Sequence, residues 1–275
     1  MNTKHIVRLI LASFAALLFT AAARPDIFPF REGVNGYAGT SDSYIRSETA
    51  TNNYGSSTTL VTRYSSNSSA PSGAHDRERE NRVTLVRFDD LNLTGTVESA
   101  SLTLTVANIN SGSGGSTTIR FLAYEVLSPW AESGATWTVA DTGSSWQTAG
   151  AKGSADRNPD AFFTSSTWSI NSDTPTLAAG DTITLSLPAS LVQSWIDNPS
   201  KNYGILLGIG ATSQYRYPEV SFHSSEAADA NLRPLLTLEG DLAAIPVPEP
   251  STVALLAGAI CCIATFAIRR IRSID

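Results

Sequence analysis

The sequence predicts an all-β fold, an antiparallel jelly-roll β-sandwich with one short helix. Stretches that alternate apolar and hydroxyl residues recur along the chain, and runs of Ser, Gly, Asn and Thr separate them. Alternation with a period of two places one face of a strand in a core and the other in water. Many such strands, divided by turns and joined by a single helical segment, are typical of a sandwich.

The predicted strands follow from this alternation, element by element. Residues 100–106 alternate over seven positions, and residues 110–116, rich in Ser and Gly, predict a hairpin loop to the next strand. In chain order the predicted strands are residues 83–88, 100–106, 118–126, 182–187, 202–209 and 235–238.

One segment, residues 188–197, has helical rather than strand spacing. Leu191, Val192, Trp195 and Ile196 fall at i, i+1, i+4 and i+5, and Pro188 suits a first helical turn. We expect a short helix that closes one end of the sandwich.

The N-terminus has the pattern of a secretory signal peptide, residues 1–23. Lys4 and Arg8 precede and border an apolar stretch, and three alanines end at Ala23, the expected cleavage site. We then expect a lead-in at residues 24–40, the sandwich at residues 41–240 and a linker at residues 241–247.

The C-terminus carries an uncharged segment, residues 251–268, followed by three arginines. Its length is close to the minimum of about 20 residues for a membrane-spanning helix. Arginines in a short flanking segment orient that end toward the cytoplasm. The sequence therefore predicts a transmembrane helix with the sandwich on the outer side.

Pro248, Glu249 and Pro250 directly precede this helix. The order of tripeptide, helix and arginine cluster resembles the PEP-CTERM sorting signal of Gram-negative bacteria. The resemblance implies processing at residues 248–250 by an exosortase, after secretion through the inner membrane and transient anchoring. The mature protein is then expected at the cell surface or in the extracellular biofilm matrix. The alternative is an anchor helix that is never cut.

Composition excludes some functions. The chain has a net charge of -6, and both terminal segments are net positive, so the part between them is still more acidic. An acidic domain is a poor nucleic-acid binder, and we expect no such partner. The two cysteines lie in the predicted membrane helix, so the exported domain has no disulfides.

A second resemblance covers roughly residues 42–238. An ordered set of motifs is similar to that of DNRLRE-type domains, which resemble carbohydrate-binding modules attached to polysaccharide-degrading enzymes, including enzymes that act on acidic polysaccharides such as alginate. The resemblance implies polysaccharide as a partner. The motifs are residues 42–46, 51–60, 83–88, 130–137, 202–204, 222–227 and 233–235, together with the helix around Trp195.

Catalytic patterns are missing from the sequence. His75 and His223 lack metal-type spacing, no G-x-S-x-G elbow occurs, and Asp156 and Asp160 read as turn residues. We therefore expect a non-enzymatic polysaccharide-binding protein. The alternatives are a structural surface or matrix protein that binds proteins or no soluble ligand, and, more weakly, an enzyme whose carboxylates the sequence does not reveal.

Candidate sugar-binding residues are aromatic, because an aromatic face packs against the apolar face of a sugar ring. Trp130 and Trp137 are expected to pack in the core instead, and the charge run at residues 75–80 is expected to be a solvated loop. The candidates are Tyr54, Trp146, Tyr215, Arg216 and Tyr217.

A structural Ca²⁺ ion is the candidate cofactor, because Ca²⁺ takes oxygen ligands and joins loops. Asp42 and Glu226 are the expected ligands, since they lie near the first and last predicted strands, which are often neighbours in sandwiches. Equally, Glu226 could form a buried ion pair with Arg87 or Arg233.

Overall fold

The computed structural model describes residues 25–64, 80–110, 117–170, 176–211 and 217–245. These residues form a β-rich fold with one α-helix, α1 (Ala189–Asp197), and short 3-10 helices at Ser47–Thr49, Pro199–Lys201 and Ala230–Leu232. The strands are β1 (Asp26–Phe30), β2 (Thr40–Arg46), β3 (Thr59–Tyr64), β4 (Glu80–Phe88), β5 (Leu93–Asn110), β6 (Thr117–Glu125), β7 (Val139–Asp141), β8 (Ser144–Ser145), β9 (Phe163–Thr164), β10 (Trp168–Ile170), β11 (Thr182–Leu187), β12 (Ile205–Ala211), β13 (Glu219–His223) and β14 (Leu235–Ala244).

Twelve strands form one curled sheet in which every described pairing is antiparallel. The order is β1-β14-β5-β13-β3-β4-β12-β6-β10, while β11 pairs with β5, β2 with β4 and β9 with β6. Strand β5 joins two halves: up to Thr105 it pairs with β14 and β11, and from Val106 onward it pairs with β13. The long strand therefore carries the chain from one layer of the sandwich to the other.

The main core lies between these two layers. Leu102, Leu104 and Leu185 from the first layer join a cluster with Phe121 and Phe222 from the second, and all five are essentially buried. Burial alternates strictly along β11, which confirms the predicted period of two. Each such side chain stabilises the fold by roughly 1.5 to 3 kcal/mol.

A second core covers the other face of β4, β6 and β12. Leu206 points into it, whereas Ile205 and Leu207 belong to the main core, so this strand is buried on both faces. Trp130 and Trp146, from the segment of residues 127–161, pack against it. Burial on both sides explains why β12 is apolar at successive positions rather than alternating.

Buried polar contacts fix the covering segment in place. Arg157 Nη2 donates to Glu80 Oε2 at 2.7 Å with both side chains fully buried, and the Arg157 guanidinium lies 4.2 Å from the ring centre of Tyr124. The Asp156 carboxylate accepts hydrogen bonds from the backbone N–H groups of Gln147, Thr148 and Gly153. The prediction that Asp156 is a turn residue is confirmed.

Helix α1 confirms the predicted helical segment. Leu191, Val192 and Trp195 are buried, and the Gln193 side chain accepts from Val97 N at 2.8 Å and donates to Gly95 O at 3.1 Å. These contacts hold the helix against the start of β5, where it closes one end of the core.

Three expectations need revision. The hairpin predicted between residues 100–106 and 118–126 is wrong: β13, β3, β4 and β12 stand between β5 and β6 in the sheet. Alternation predicts a buried face but does not specify the neighbouring strand. The expected lead-in at residues 24–40 contains β1, which pairs with β14, and β14 runs past residue 240 to Ala244. The sandwich is therefore longer at both ends.

The described residues include no helix long and apolar enough to cross a membrane. The predicted span at residues 251–268, the signal peptide at residues 1–23 and the tripeptide at residues 248–250 lie outside the described ranges.

Candidate functional site

Three arginines lie side by side across adjacent strands. Arg82 of β4 is in register with Arg46 of β2 and also with Arg63 of β3. Directly opposite residues on antiparallel strands place their side chains on one face, roughly 5 Å apart. Like charges at that spacing repel, so the row persists only if neighbouring groups compensate for it.

Two glutamates supply part of this compensation. Glu48 Oε1 accepts from Arg63 Nη1 at 2.8 Å, and from Arg82 Nε at 3.1 Å and Nη2 at 2.9 Å, while Arg82 Nη1 donates to Glu219 Oε2 at 2.5 Å. Partial burial raises the pKa of Glu48, but the Arg82 hydrogen bonds and the charges of both arginines outweigh it, so this pKa is lowered. Among the residues that the structure describes, three arginines against two glutamates leave an excess of positive charge at this surface.

Two tyrosines border the arginine row. Tyr54 stacks on the buried Tyr44 with ring centres 4.4 Å apart, and the Arg46 guanidinium lies 5.2 Å from the Tyr54 ring centre. Tyr217 is 39% exposed, and the Arg63 guanidinium lies 5.2 Å from its ring centre. We call Arg46, Arg63, Arg82, Tyr54 and Tyr217 the arginine–tyrosine surface.

Hydrogen bonds of Thr49 hold Arg46 and Tyr54 of this surface in place. Thr49 Oγ1 lies 2.6 Å from both Arg46 Nε and the Tyr54 hydroxyl, which links the 3-10 helix after β2 to the tyrosine. Burial raises the pKa of Tyr44, the neighbouring Tyr54 adds to the rise, and Arg46 and Arg82 oppose it. The rings and guanidinium groups are therefore positioned before any ligand arrives.

The candidate sugar-binding residues differ in where the structure places them. Tyr54 and Tyr217 reach the arginine–tyrosine surface, while Tyr215 and Arg216 lie outside the described residues. Trp146 is only 4% exposed and its indole N–H donates to Thr136 O at 2.9 Å, so it offers no ring face to a ligand. The expectation that Trp146 binds sugar therefore needs correction, because its Ser-rich segment folds over the second core.

Two further tryptophans, Trp130 and Trp137, behave as expected of packing residues. Trp130 is buried, its indole N–H donates to Tyr203 O at 2.8 Å, and the Arg87 guanidinium lies 5.1 Å from its ring centre. Trp137 is partly buried against the second core, with Lys152 Nζ 5.3 Å from its ring centre.

Three carboxylates form an acidic cluster away from the arginine row. Asp42, Glu132 and Glu226 each offer a carboxylate oxygen, and these atoms lie within 4.8 Å of one another. Asp42 Oδ2 accepts from Ser225 N at 2.8 Å, and Asp42 N donates to Glu132 Oε1 at 2.9 Å. The fold thus brings the two predicted metal ligands together and adds Glu132.

The cluster is electrostatically unfavourable as it stands. Burial, then the Glu226 charge, raises the pKa of Asp42 well above its ordinary value. Burial likewise raises the pKa of Glu132. The alternative ion pair between Glu226 and Arg87 or Arg233 is wrong, because both arginines bind other groups. Arg87 Nε pairs with Asp89 at 2.7 Å, and Arg233 donates to the carbonyls of Ala227 and Glu32.

Sequence reasoning missed Arg46, Arg63, Arg82 and Glu132. The three arginines lie in three different strands, and only the register of β2, β4 and β3 brings them together. Glu132 lies in the segment that covers the second core, far from Asp42 in sequence. Correct strand pairing would have been the signal for the arginine row.

The comparison with known families agrees with a binding role. Residues 35–158 match the family model of carbohydrate-binding module family 96, which supports a carbohydrate-binding-module-like domain in this chain. The match includes Arg46, Tyr54, Arg63 and Arg82 of the arginine–tyrosine surface. No curated protein matches the chain.

Proposed function

We propose that this protein is an exported, non-enzymatic binder of polysaccharide, and that its arginine–tyrosine surface binds acidic polysaccharide. The observation that carries the proposal is the arginine row, an excess of positive charge on a chain whose net charge is -6. The match to a carbohydrate-binding module supplies the ligand class.

Arginine suits carboxylated sugars for a geometric reason. Its planar guanidinium donates two parallel hydrogen bonds to one carboxylate, and such charge-assisted bonds are about twice as strong as neutral ones. Glu48 and Glu219 already occupy part of the donors of Arg63 and Arg82 and hold both guanidiniums at the surface. A uronate carboxylate then binds at the remaining donors without reordering the arginines.

The tyrosines supply the contact with the sugar ring. Tyr217 is the exposed aromatic residue beside Arg63, so a ring that packs on it lies within reach of a guanidinium. Tyr54 is half-buried and serves mainly to hold Arg46. One uronate residue is thereby bound at both its apolar face and its carboxylate.

The charged groups of this surface are poorly suited to catalysis. Guanidinium groups stay protonated and cannot act as general bases. Glycoside hydrolysis needs a carboxylic acid whose pKa is raised. Glu48, in contrast, has a lowered pKa because Arg82 and Arg63 outweigh its partial burial. We infer a binding module rather than a hydrolase.

We further propose that the signal peptide and the PEP-CTERM-like tail direct this module to the cell surface or extracellular matrix of a Gram-negative bacterium, with exosortase processing near Pro248–Pro250. Support comes from the three-part order of the tail. Mass spectrometry of the protein recovered outside the cell tests this: a C-terminus near residue 250 supports it, and an intact residue 268 contradicts it.

The binding proposal is tested with a matched pair of polymers. Protein purified from cells that express the full chain is run through affinity gels that contain a polyuronate or the same polymer after chemical reduction of its carboxyl groups. Retention by the polyuronate, and loss of retention after reduction, supports the proposal. Equal migration in both gels and in a blank gel favours the alternative, a structural matrix protein.

A further inference from the structure

We propose that Asp42, Glu132 and Glu226 bind a Ca²⁺ ion that joins three separate segments of the sandwich. This metal site goes beyond polysaccharide binding and does not depend on it. The segments are β2, the stretch of residues 127–161 that covers the second core, and the turn after β13.

The spacing of the carboxylates fits one ion. Ca²⁺ binds oxygen at about 2.3 to 2.6 Å, so two oxygens on opposite sides of the same ion are about 5 Å apart. The three candidate oxygen atoms all lie within 4.8 Å of one another. A single ion placed among them contacts all three without a change of backbone.

Two carboxylate oxygens in the cluster are buried without a hydrogen-bond donor. Asp42 has no exposed surface, yet no described residue makes a hydrogen bond to its Oδ1, nor to Glu226 Oε2. The other oxygen of each carboxylate accepts a hydrogen bond: Asp42 Oδ2 from Ser225 N and Glu226 Oε1 from the Ser225 hydroxyl. A buried carboxylate oxygen without a donor is strongly unfavourable, and a cation removes that penalty at both atoms.

The ligand chemistry favours Ca²⁺ over other ions. All three side chains offer carboxylate oxygens, which are the ligands of hard cations. Mg²⁺ requires a near-ideal octahedron and is usually bound by only one or two carboxylates together with several waters. Ca²⁺ accepts irregular geometry and binds carboxylates in monodentate or bidentate fashion, so a cluster of three carboxylates suits it.

The ion also stabilises one edge of the arginine–tyrosine surface. Asn53 Nδ2 donates to Glu132 O at 2.6 Å and to Ala135 O at 2.8 Å, and Gly55 packs against the Glu132 backbone. Tyr54 stands between these two residues. A cation that holds Glu132 therefore holds the turn that positions Tyr54.

The test is Ca²⁺ binding to the purified full-chain protein after treatment with a chelator. Titration calorimetry with CaCl₂ is expected to show one site, and Ca²⁺ is expected to raise the melting temperature. Asp42→Asn and Glu226→Gln each remove a ligand charge and are expected to weaken binding at least about tenfold. Glu98→Gln, an exposed carboxylate on β5, is the matched control and keeps full affinity.

A competing arrangement is a proton shared between Asp42 and Glu226. It predicts no Ca²⁺ binding by the wild-type protein and no rise in its melting temperature when CaCl₂ is added. That result overturns the proposal, as does equal affinity for Mg²⁺ or unchanged affinity in both ligand variants. Because the variants replace a repelling carboxylate by a neutral isostere, they are expected to fold.

Discussion

Arg82 donates two hydrogen bonds to a single oxygen of Glu48, from Nε at 3.1 Å and from Nη2 at 2.9 Å. The contact holds the central guanidinium of the arginine row flat against the 3-10 helix after β2. Because Arg82 of β4 also binds Glu219 of β13, one side chain connects two strands and that helix.

Arg82→Lys is expected to destabilise the fold by about 1 to 2 kcal/mol, because an ammonium group cannot bind both glutamates in this planar arrangement. Urea unfolding measures the change. Lys201→Arg, the reverse exchange at an exposed residue of the 3-10 helix Pro199–Lys201, is the control and is expected to change stability by less than about 0.5 kcal/mol. Equal effects of the two substitutions would show that the Glu48 and Glu219 contacts contribute nothing.

Glu48 makes stability depend on acid pH. Its folded-state pKa is lowered from 4.5, so its contribution is fully present above pH 4.5 and is lost as pH falls through the folded-state value. The side chain is 35% exposed, so solvent screening limits the effect to about 1 kcal/mol. Thermal melts from pH 6 to about pH 3 are expected to show a smaller acid loss in Glu48→Gln than in the wild type. Parallel curves for the two proteins would contradict this.

Trp146 is expected to be a core residue rather than a ligand contact. Trp146→Ala removes a buried ring and its bond to Thr136 O and should destabilise the fold by about 3 to 5 kcal/mol. Tyr217→Ala, at an exposed ring, should change stability by less than about 0.5 kcal/mol but weaken polyuronate binding. Chemical denaturation of both variants, with gel retention for Tyr217→Ala, separates packing from binding.

Gly208 is expected to tolerate no side chain. A Cβ there would overlap the carboxylate of Glu80, which forms the buried ion pair with Arg157. Because breaking a buried pair typically costs 3 to 5 kcal/mol, Gly208→Ala should lose roughly that much stability. Gly143→Ala, at a glycine with open space around it, is the control; its positive φ alone is expected to cost about 1 to 2 kcal/mol, less than the loss at Gly208. A Gly208→Ala protein as stable as the wild type would show that the pair moves freely.

The strands were predictable where one face is wet, as in β11, because alternation records burial directly. Which strands pair with each other was not predictable, because alternation does not specify the partner strand. The prediction therefore paired β5 with β6 wrongly. Trp146 looked exposed because it lies among serines, yet its segment folds over a second core. Asp42 and Glu226 do lie together, but not through neighbouring strands: β2 pairs with β4, whereas β13, which precedes Glu226, pairs with β3 and β5. Glu132 reaches them from a long irregular segment that no periodicity describes.

The most direct test of the arginine row is titration calorimetry of one polyuronate oligosaccharide against the wild-type protein, Arg63→Gln and Lys201→Gln. Arg63→Gln removes a donor of the row, whereas Lys201→Gln removes the same charge from an exposed residue in the 3-10 helix before β12. We expect Arg63→Gln to weaken binding about tenfold or more, the loss expected for a charge-assisted hydrogen bond, and Lys201→Gln to leave the affinity unchanged. Equal affinities for all three proteins would contradict it.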